Sequence, residues 1–338
     1  MSKKLTTIRI QCTFKGQGVV NFDSTDQKYV MLDTHTINLP RDNNGKVRGN
    51  LKPGKATYQM NADGQYTRIP KVSSQCIRQA IFCMKHNPNI MHSPVLFNDW
   101  ISSKAALILG WMFTSDKKGA AKRKSPFTVT DALEVSGQVP TFNAHSNSGD
   151  RTETSLYYVE ELGKTRFETT MLIDLSELKH IVLSDTYGRN SVFPDGEEAF
   201  KAALRGKYGD LSEGYYKMAG EDGSVPEYGA ELSDAVVVDV VKTLIERIKQ
   251  FRIVRANGFL EFDSMIFFTF ENGAWVPMDE PTDFTVKSRY VLMDDQDAVK
   301  KLHDDVCNQA KQEQTARKEA KNEAKAKKAA KKAENNAK

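Results

Sequence analysis

The chain has 338 residues, 39% of them hydrophobic, and its 48 lysines and arginines face 44 aspartates and glutamates. That composition supports a real buried core; no apolar run approaches the ~20 residues that span a bilayer, and the N-terminus opens into a strand pattern without a signal-peptide core, so a globular cytoplasmic protein is expected. The charge is unevenly spread, at 20 basic against 7 acidic residues over 1–124, 18 against 33 over 125–310 and 10 against 4 over 311–338, a division that fits a polyanionic ligand and equally fits head-to-tail attraction between copies.

Thr6 to Phe14 alternates, with Ile8, Ile10, Cys12 and Phe14 on one face and Arg9, Gln11 and Thr13 on the other, which predicts a half-buried strand. In the following Gly16-Gln17-Gly18-Val19-Val20-Asn21, the third glycine position of a dinucleotide loop holds Asn21, and β-branched residues stand where a helix should open, which excludes that loop. Asp23 to Lys71 is polar, weakly periodic and too long for an ordinary connection, so it is predicted to be an insertion or finger. From position 41 on, its Arg41, Lys46, Arg48, Lys52, Lys55, Arg68 and Lys71 face only Asp42 and Asp63. Tyr58 and Tyr66 are interspersed, as on a backbone-tracking nucleic-acid surface; a solvated loop reads equally well.

The stretch Ser73 to Lys85 predicts an amphipathic helix capped by serines, with Ile77, Ala80, Ile81 and Met84 facing inward. Its other face collects Gln75, Arg78, Gln79, Phe82 and Lys85, and its N-terminus, flanked by two hydroxyls, suits a phosphate. A core helix with a polar outside is the alternative. Phe97 to Phe113 reads as a second helix, capped by Asn98 or Asp99, with Trp100, Ala105, Leu107, Ile108, Trp111 and Met112 mostly buried. Lys117, Lys118, Lys122, Arg123 and Lys124 then form a basic loop broken by Gly119, a candidate second phosphate contact.

Ser125 to Val129 reads as extended, and the turn-rich, almost uncharged Val135 to Asp150 as a protruding hairpin. Thr152 to Val159 and Thr165 to Leu175 are expected to pair around Glu160 to Lys164. Tyr187 to Ala230 is irregular, with a short helix near Glu197 to Leu204. Leu232 to Phe251 is the cleanest helix, with a stripe of Val237, Val240, Val241, Leu244, Ile248 and Phe251. Ile253 to Phe270 returns to strand, interrupted at Asn257-Gly258. This order predicts an α+β sandwich of ferredoxin type with large insertions. From Asp304 on, Ala, Lys and Glu without an apolar stripe make at most a solvated helix.

Little in the sequence carries reaction chemistry. Cys83 and His86 share a helical face, but one pair falls short of the four ligands of a structural zinc site. Asp294-Asp295-Gln296-Asp297 lacks the glycine and glutamate of a calcium loop, and no G-x-S-x-G, H-E-x-x-H or Walker sequence is present. The four cysteines form no C-x-x-C pair and are expected as buried thiols. A protein that is not an enzyme, with no metal and no cofactor, is expected.

Several short motifs, taken in order, resemble one family. They are the strand Thr6 to Phe14 with its Gly-x-Gly-Val-Val-Asn, Ser-Ser-Gln-x-Ile-Arg-x-Ala at 73–80, Ser125-Pro126-Phe127 ahead of Asp131-Ala132, Thr154 through Tyr157-Tyr158-Val159-Glu160 to Gly163-Lys164-Thr165-Arg166-Phe167, and Arg255-Ala256-Asn257-Gly258-Phe259. Together they resemble the crRNA-binding backbone subunit (Cas seven group, RAMP superfamily) of Class 1 CRISPR effector complexes, nearest to those of type IV and type I-F variant systems. The resemblance implies an α+β fold: a palm like an RNA-recognition motif, its antiparallel sheet packed by helices, over 1–22, 72–130 and 151–303. A finger at 23–71, a thumb hairpin at 131–156 and a solvated tail at 304–338 would complete it.

It further implies that Ser73, Ser74, Gln75, Arg78, Arg9, Lys117, Lys118, Lys122, Arg123, Lys124, Arg255 and Asn257 contact RNA. The thumb would act through Val139, Phe142 and His145. The implied partners are crRNA, target DNA or RNA paired with the guide, further copies of the chain, other effector subunits (the five-group and crRNA-processing subunits) and, in some systems, a helicase. In type III relatives an aspartate after the first strand cuts RNA, and Asp23 and Asp26 lie near that position; a metal-dependent RNA endonuclease is therefore the alternative, and a general basic RNA-binding protein working through its Lys-rich tail a third.

Overall fold

The computed structural model describes residues 2–17, 29–32, 35–38, 55–60, 62–82, 99–115, 119–137, 141–146, 157–162, 164–183, 190–220, 225–255 and 258–336. The chain divides into two units, one of residues 1–109, 125–178 and 234–287, the other of 110–124, 179–233 and 288–338.

The first unit is built on an antiparallel sheet. Its elements in chain order are β1 (Thr7–Gln17), β2 (Ala56–Met60), β3 (Tyr66–Val72), α1 (Ser74–Phe82), α2 (Lys104–Leu109), β4 (Phe127–Val129), β5 (Ala132–Glu134), β6 (Thr141–Ser146), β7 (Tyr157–Leu162), β8 (Lys164–Asp174), α3 (Asp234–Lys249), β9 (Arg252–Arg255), β10 (Gly258–Glu271) and β11 (Ala274–Met278). Among the described residues the sheet runs β9-β10-β1-β8-β5-β3-β2, with β4 also on β8 and β11 also on β10. β1 lies at its centre because its alternation is strict: Ile8, Ile10, Cys12 and Phe14 are all fully buried, and the Phe14 ring meets Phe251 at 4.2 Å between centroids. Burial, reinforced by Asp263, pushes the Cys12 thiol up to about 12, so it is an inert core group.

Helices α1 and α3 cover the apolar side. α1 buries Ile77, Ile81 and Phe82, with Phe82 edge-on to Phe127 at 6.2 Å. α3 buries the expected stripe of Val237, Val240, Val241, Leu244 and Ile248. Its Asp234 at the start and Arg247 and Lys249 in the last turn suit the helix dipole.

Gly18 lies outside the described residues, and Gly16 has a packing reason within the strand. It sits in β1 opposite Leu260, and a Cβ there would strike the Phe259 carbonyl oxygen and stand 2.9 Å from Leu260 Cδ1. A backbone oxygen cannot swing aside as a side chain can. Gly16→Ala is therefore expected to destabilise by about 1–3 kcal/mol, read as a lower denaturant midpoint; an unchanged midpoint would show that β10 gives way.

Three local expectations change. The second helix stops at Leu109, and Trp111 and Met112 begin a strand, Trp111–Ser115, paired with Gly119–Arg123; Gly110, at φ +67°, turns the chain between them. The segment expected to pair with 165–175 does not: β7 pairs with β6, while β8 takes β1, β4 and β5. Hydrophobic alternation identifies strands but not their partners. The second part of the proposed finger is itself sheet, since β2 and β3 form a hairpin whose β3 pairs with β5.

The second unit contains a four-stranded sheet in the order His180–Val182, Glu227–Glu231, Ser212–Met218, Tyr290–Leu292. Trp111 anchors its core, donating from the indole N–H to the Ser191 carbonyl at 2.6 Å and meeting Phe200 edge-on at 5.9 Å. The helix Glu197–Tyr208 runs a turn past its expected end, to Gly209 at φ +80°. The last helix, Gln296–Asn336, docks through its first turns, where Val299 and His303 are buried. Removing residues 311–338 is accordingly expected to leave the melting temperature almost unchanged, and a fall of several degrees would show a docked tail.

Candidate nucleic-acid interface

The N-terminus of α1 is occupied by the protein's own carboxylate. Asp131 Oδ1 accepts from the Ser74 N–H at 2.8 Å, and its Oδ2 accepts from Lys71 Nζ at 3.0 Å. Desolvation raises the Asp131 carboxyl, but the Ser74 bonds and the Lys71 ammonium outweigh it and hold the group below its usual value. The phosphate position expected beside Ser73, Ser74 and Gln75 is thus capped from within, by a residue of the Asp131-Ala132 motif. Because the folded-state pKa is depressed, this contribution is complete above about pH 4 and is lost as the pH falls through the lowered value. Asp131→Asn is expected to flatten the acid limb of the stability profile below about pH 4; an unaltered limb would assign acid sensitivity elsewhere.

Arg78 is expected at guide phosphate, yet its guanidinium is half-buried and donates from Nη2 to the Leu109 carbonyl at 3.2 Å and to Ser125 Oγ at 3.1 Å. Burial lowers its pKa. The Ser125 hydroxyl in turn lies 2.9 Å from the Ile108 carbonyl. Residues of the 73–80 motif, expected at RNA, and of the 125–132 motif therefore tie α1 to α2 and to the β4 and β5 region. Gln75 and Gln79 are the exposed members of that helix.

The basic loop is divided as well. Arg123 is 7% exposed, donates to the His180 carbonyl at 2.9 Å and stands 5.8 Å from the Trp111 ring centroid. It turns inward because its place in a strand alternates with those of Lys122 and Lys124, which are exposed. Lys117 and Lys118 lie outside the described residues, as do Asn257, Val139, Asp23 and Asp26. Phe142 and His145 lie in β6 opposite Glu161 and Tyr158, and Arg255 lies in β9 opposite Gly258; their side chains are outside the described set. Among the described residues no group of three metal-ligating side chains forms, and no helix is long and apolar enough to cross a membrane.

Arg9 stands on the other face of β1. Its register partners are Phe268 on β10 and Leu172 on β8. The guanidinium carbon lies 5.2 Å from the Phe268 ring centroid and 5.8 Å from that of Trp275. Its Nε is buried without a hydrogen-bond acceptor, and no carboxylate pairs with it among the described residues. Farther along the same face the cations are matched: Lys15 with Glu261 at 3.8 Å and Arg166 with Asp263 at 3.4 Å, while the Gln11 amide bonds the Glu168 carboxylate. Beside Arg9, Ile266 is 54% and Phe270 47% exposed, and Phe270 meets Trp275 edge-on at 5.2 Å. The alternate outward positions 266, 268 and 270 are the signal in sequence that marks this patch.

Fold and surface together define an α+β protein whose broad antiparallel sheet is covered by helices on its apolar side and carries cations and aromatics on the other. The family model of the type I-Fv CRISPR-associated protein Cas7fv-like matches residues 5–207, and the chain belongs to that family, a class of CRISPR effector backbone subunits. Among solved structures, a chain of one described as "Type IV-B CRISPR Complex" is similar at 10% identity, over 48% of this chain and 73% of that one, with a TM-score of 0.27. No curated protein matches.

Proposed function

We propose that this backbone subunit binds crRNA along its sugar-phosphate chain, polymerises head to tail on it and presents the guide for pairing with target nucleic acid. The observation that carries the reading is the family match across residues 5–207, the span that holds most of the ordered motifs. The fold supports an RNA-recognition-like palm: strand β1, helix α1, strand β5, strand β8, helix α3 and strand β10 follow in the chain, and the strands lie side by side as β10-β1-β8-β5. The hairpin of β6 and β7, which runs past the 131–156 segment expected as the thumb, is the proposed thumb, and Arg9 and the exposed Gln75 and Gln79 of the first unit, with Lys122 and Lys124 of the second, are proposed RNA contacts. Arg78 and Asp131 tie α1 to its neighbours in the first unit, and Arg123 ties its strand to His180 in the second.

The test is co-purification. The chain, expressed with a CRISPR array, should retain RNA of one defined length, and complex mass should rise in steps as the guide is lengthened. Complexes of one fixed mass on guides of every length would overturn polymerisation, and recovery without RNA would overturn the reading as a whole.

A further inference from the structure

We propose that the aromatic patch around Arg9 on the open sheet face is a stacking platform for unpaired bases of single-stranded RNA. The inference rests on the RNA-binding reading above and adds to Arg9 an aromatic surface that neither the motifs nor the helix N-terminus supplies.

Three observations carry it. Phe268, Phe270 and Trp275 are brought together by register, since Trp275 is opposite Phe270 across the β10 and β11 hairpin, and the exposed Ile266 extends the patch. Apolar side chains half open to water at adjoining outward positions are unusual in a surface with no partner. Arg9 stands among these rings with no carboxylate partner among the described residues, whereas Lys15 and Arg166 on the same face have carboxylates. The charge decides between occupants. A second copy docking here would bury a cation without a counter-ion unless it brought an acid, while an RNA strand brings both ring faces and phosphates. Base-on-aromatic stacking tolerates any sequence, which suits a subunit that must accept every guide.

The geometry separates two contributions. The rings would hold bases irrespective of salt, and Arg9 would supply one phosphate contact or stack on a base. The experiment uses the full chain with an oligouridine carrying 4-thiouridine, irradiated and mapped by mass spectrometry, alongside titrations of Phe270→Ser, Trp275→Leu and Arg9→Gln. Each ring variant should weaken binding by roughly tenfold with an unchanged salt slope, Arg9→Gln should reduce the slope by about one counterion, and crosslinks should fall within Gly258–Met278. Both ring positions are open to solvent to some degree, and thermal melts will identify any variant that misfolds; the crosslink map of the unaltered chain decides in that event. Tight binding with crosslinks only elsewhere overturns the platform and leaves the RNA-binding reading intact. No binding by the unaltered chain overturns both. Loss of self-association without RNA in the ring variants overturns the platform in favour of a contact between copies.

Discussion

Excising residues 138–163 and joining Gly137 to Lys164 is expected to abolish stepwise assembly on RNA while leaving a folded monomer. At the root of this segment the sheet is already closed. Leu133 and Glu134 pair with Glu168 and Phe167, and the Val135 N–H donates to the Arg166 carbonyl at 2.8 Å. The Glu134 carboxylate then accepts from the amides of Ser136 at 2.7 Å and Gly137 at 3.2 Å, and Gly137 has the positive φ of a turn, +66°. The joined chain would cross from β5 to β8 by a short loop of the kind common in hairpins. Taking out only residues 135–150 is a poorer experiment, because it removes β6 and leaves β7 with an open edge, an invitation to aggregation. Complex mass on guides of increasing length, measured by native mass spectrometry, checks the result. Steps that survive the excision would mean that copies meet through another surface.

Arg78→Ala is expected to destabilise the protein by about 2–3 kcal/mol, the scale for losing hydrogen bonds from a half-buried charged group, and to leave the salt dependence of RNA binding unchanged. The reason is geometric: the guanidinium joins α1 to the Leu109 carbonyl and to the Ser125 hydroxyl, and removing it takes both of those acceptors' shared donor away. Ser125→Ala should cost part of the same stability, and the pair should be non-additive because the two residues share one bond. A denaturant midpoint that does not move, together with a salt slope shallower by about one counterion, would instead place Arg78 on the RNA.

Much of the first unit was legible in the sequence because its elements have strong local patterns. The alternation at 8–14 and the helical stripe at 237–248 each have one face to bury, and each was buried as expected. Trp111 and Met112 misled because large apolar residues suit either a helix or a strand, and Gly110, which breaks the helix, becomes decisive only when its backbone turns to positive φ. The candidate site was less legible. Arg78 and Arg123 carry charge, and a charge read in sequence looks available to a ligand until its partner within the chain is known.

By itself the sequence determined the family, through the order of its short motifs, and the α+β class, through periodicities that physics reads locally. Tertiary structure decided which of the charges have partners within the chain. The β5 region carries Asp131 to the start of α1, where its carboxylate accepts from the Ser74 N–H and meets the positive end of the helix dipole. The pairing of β10 with β1 set Phe268 beside Arg9 across more than two hundred residues of chain, a proximity that no local pattern encodes.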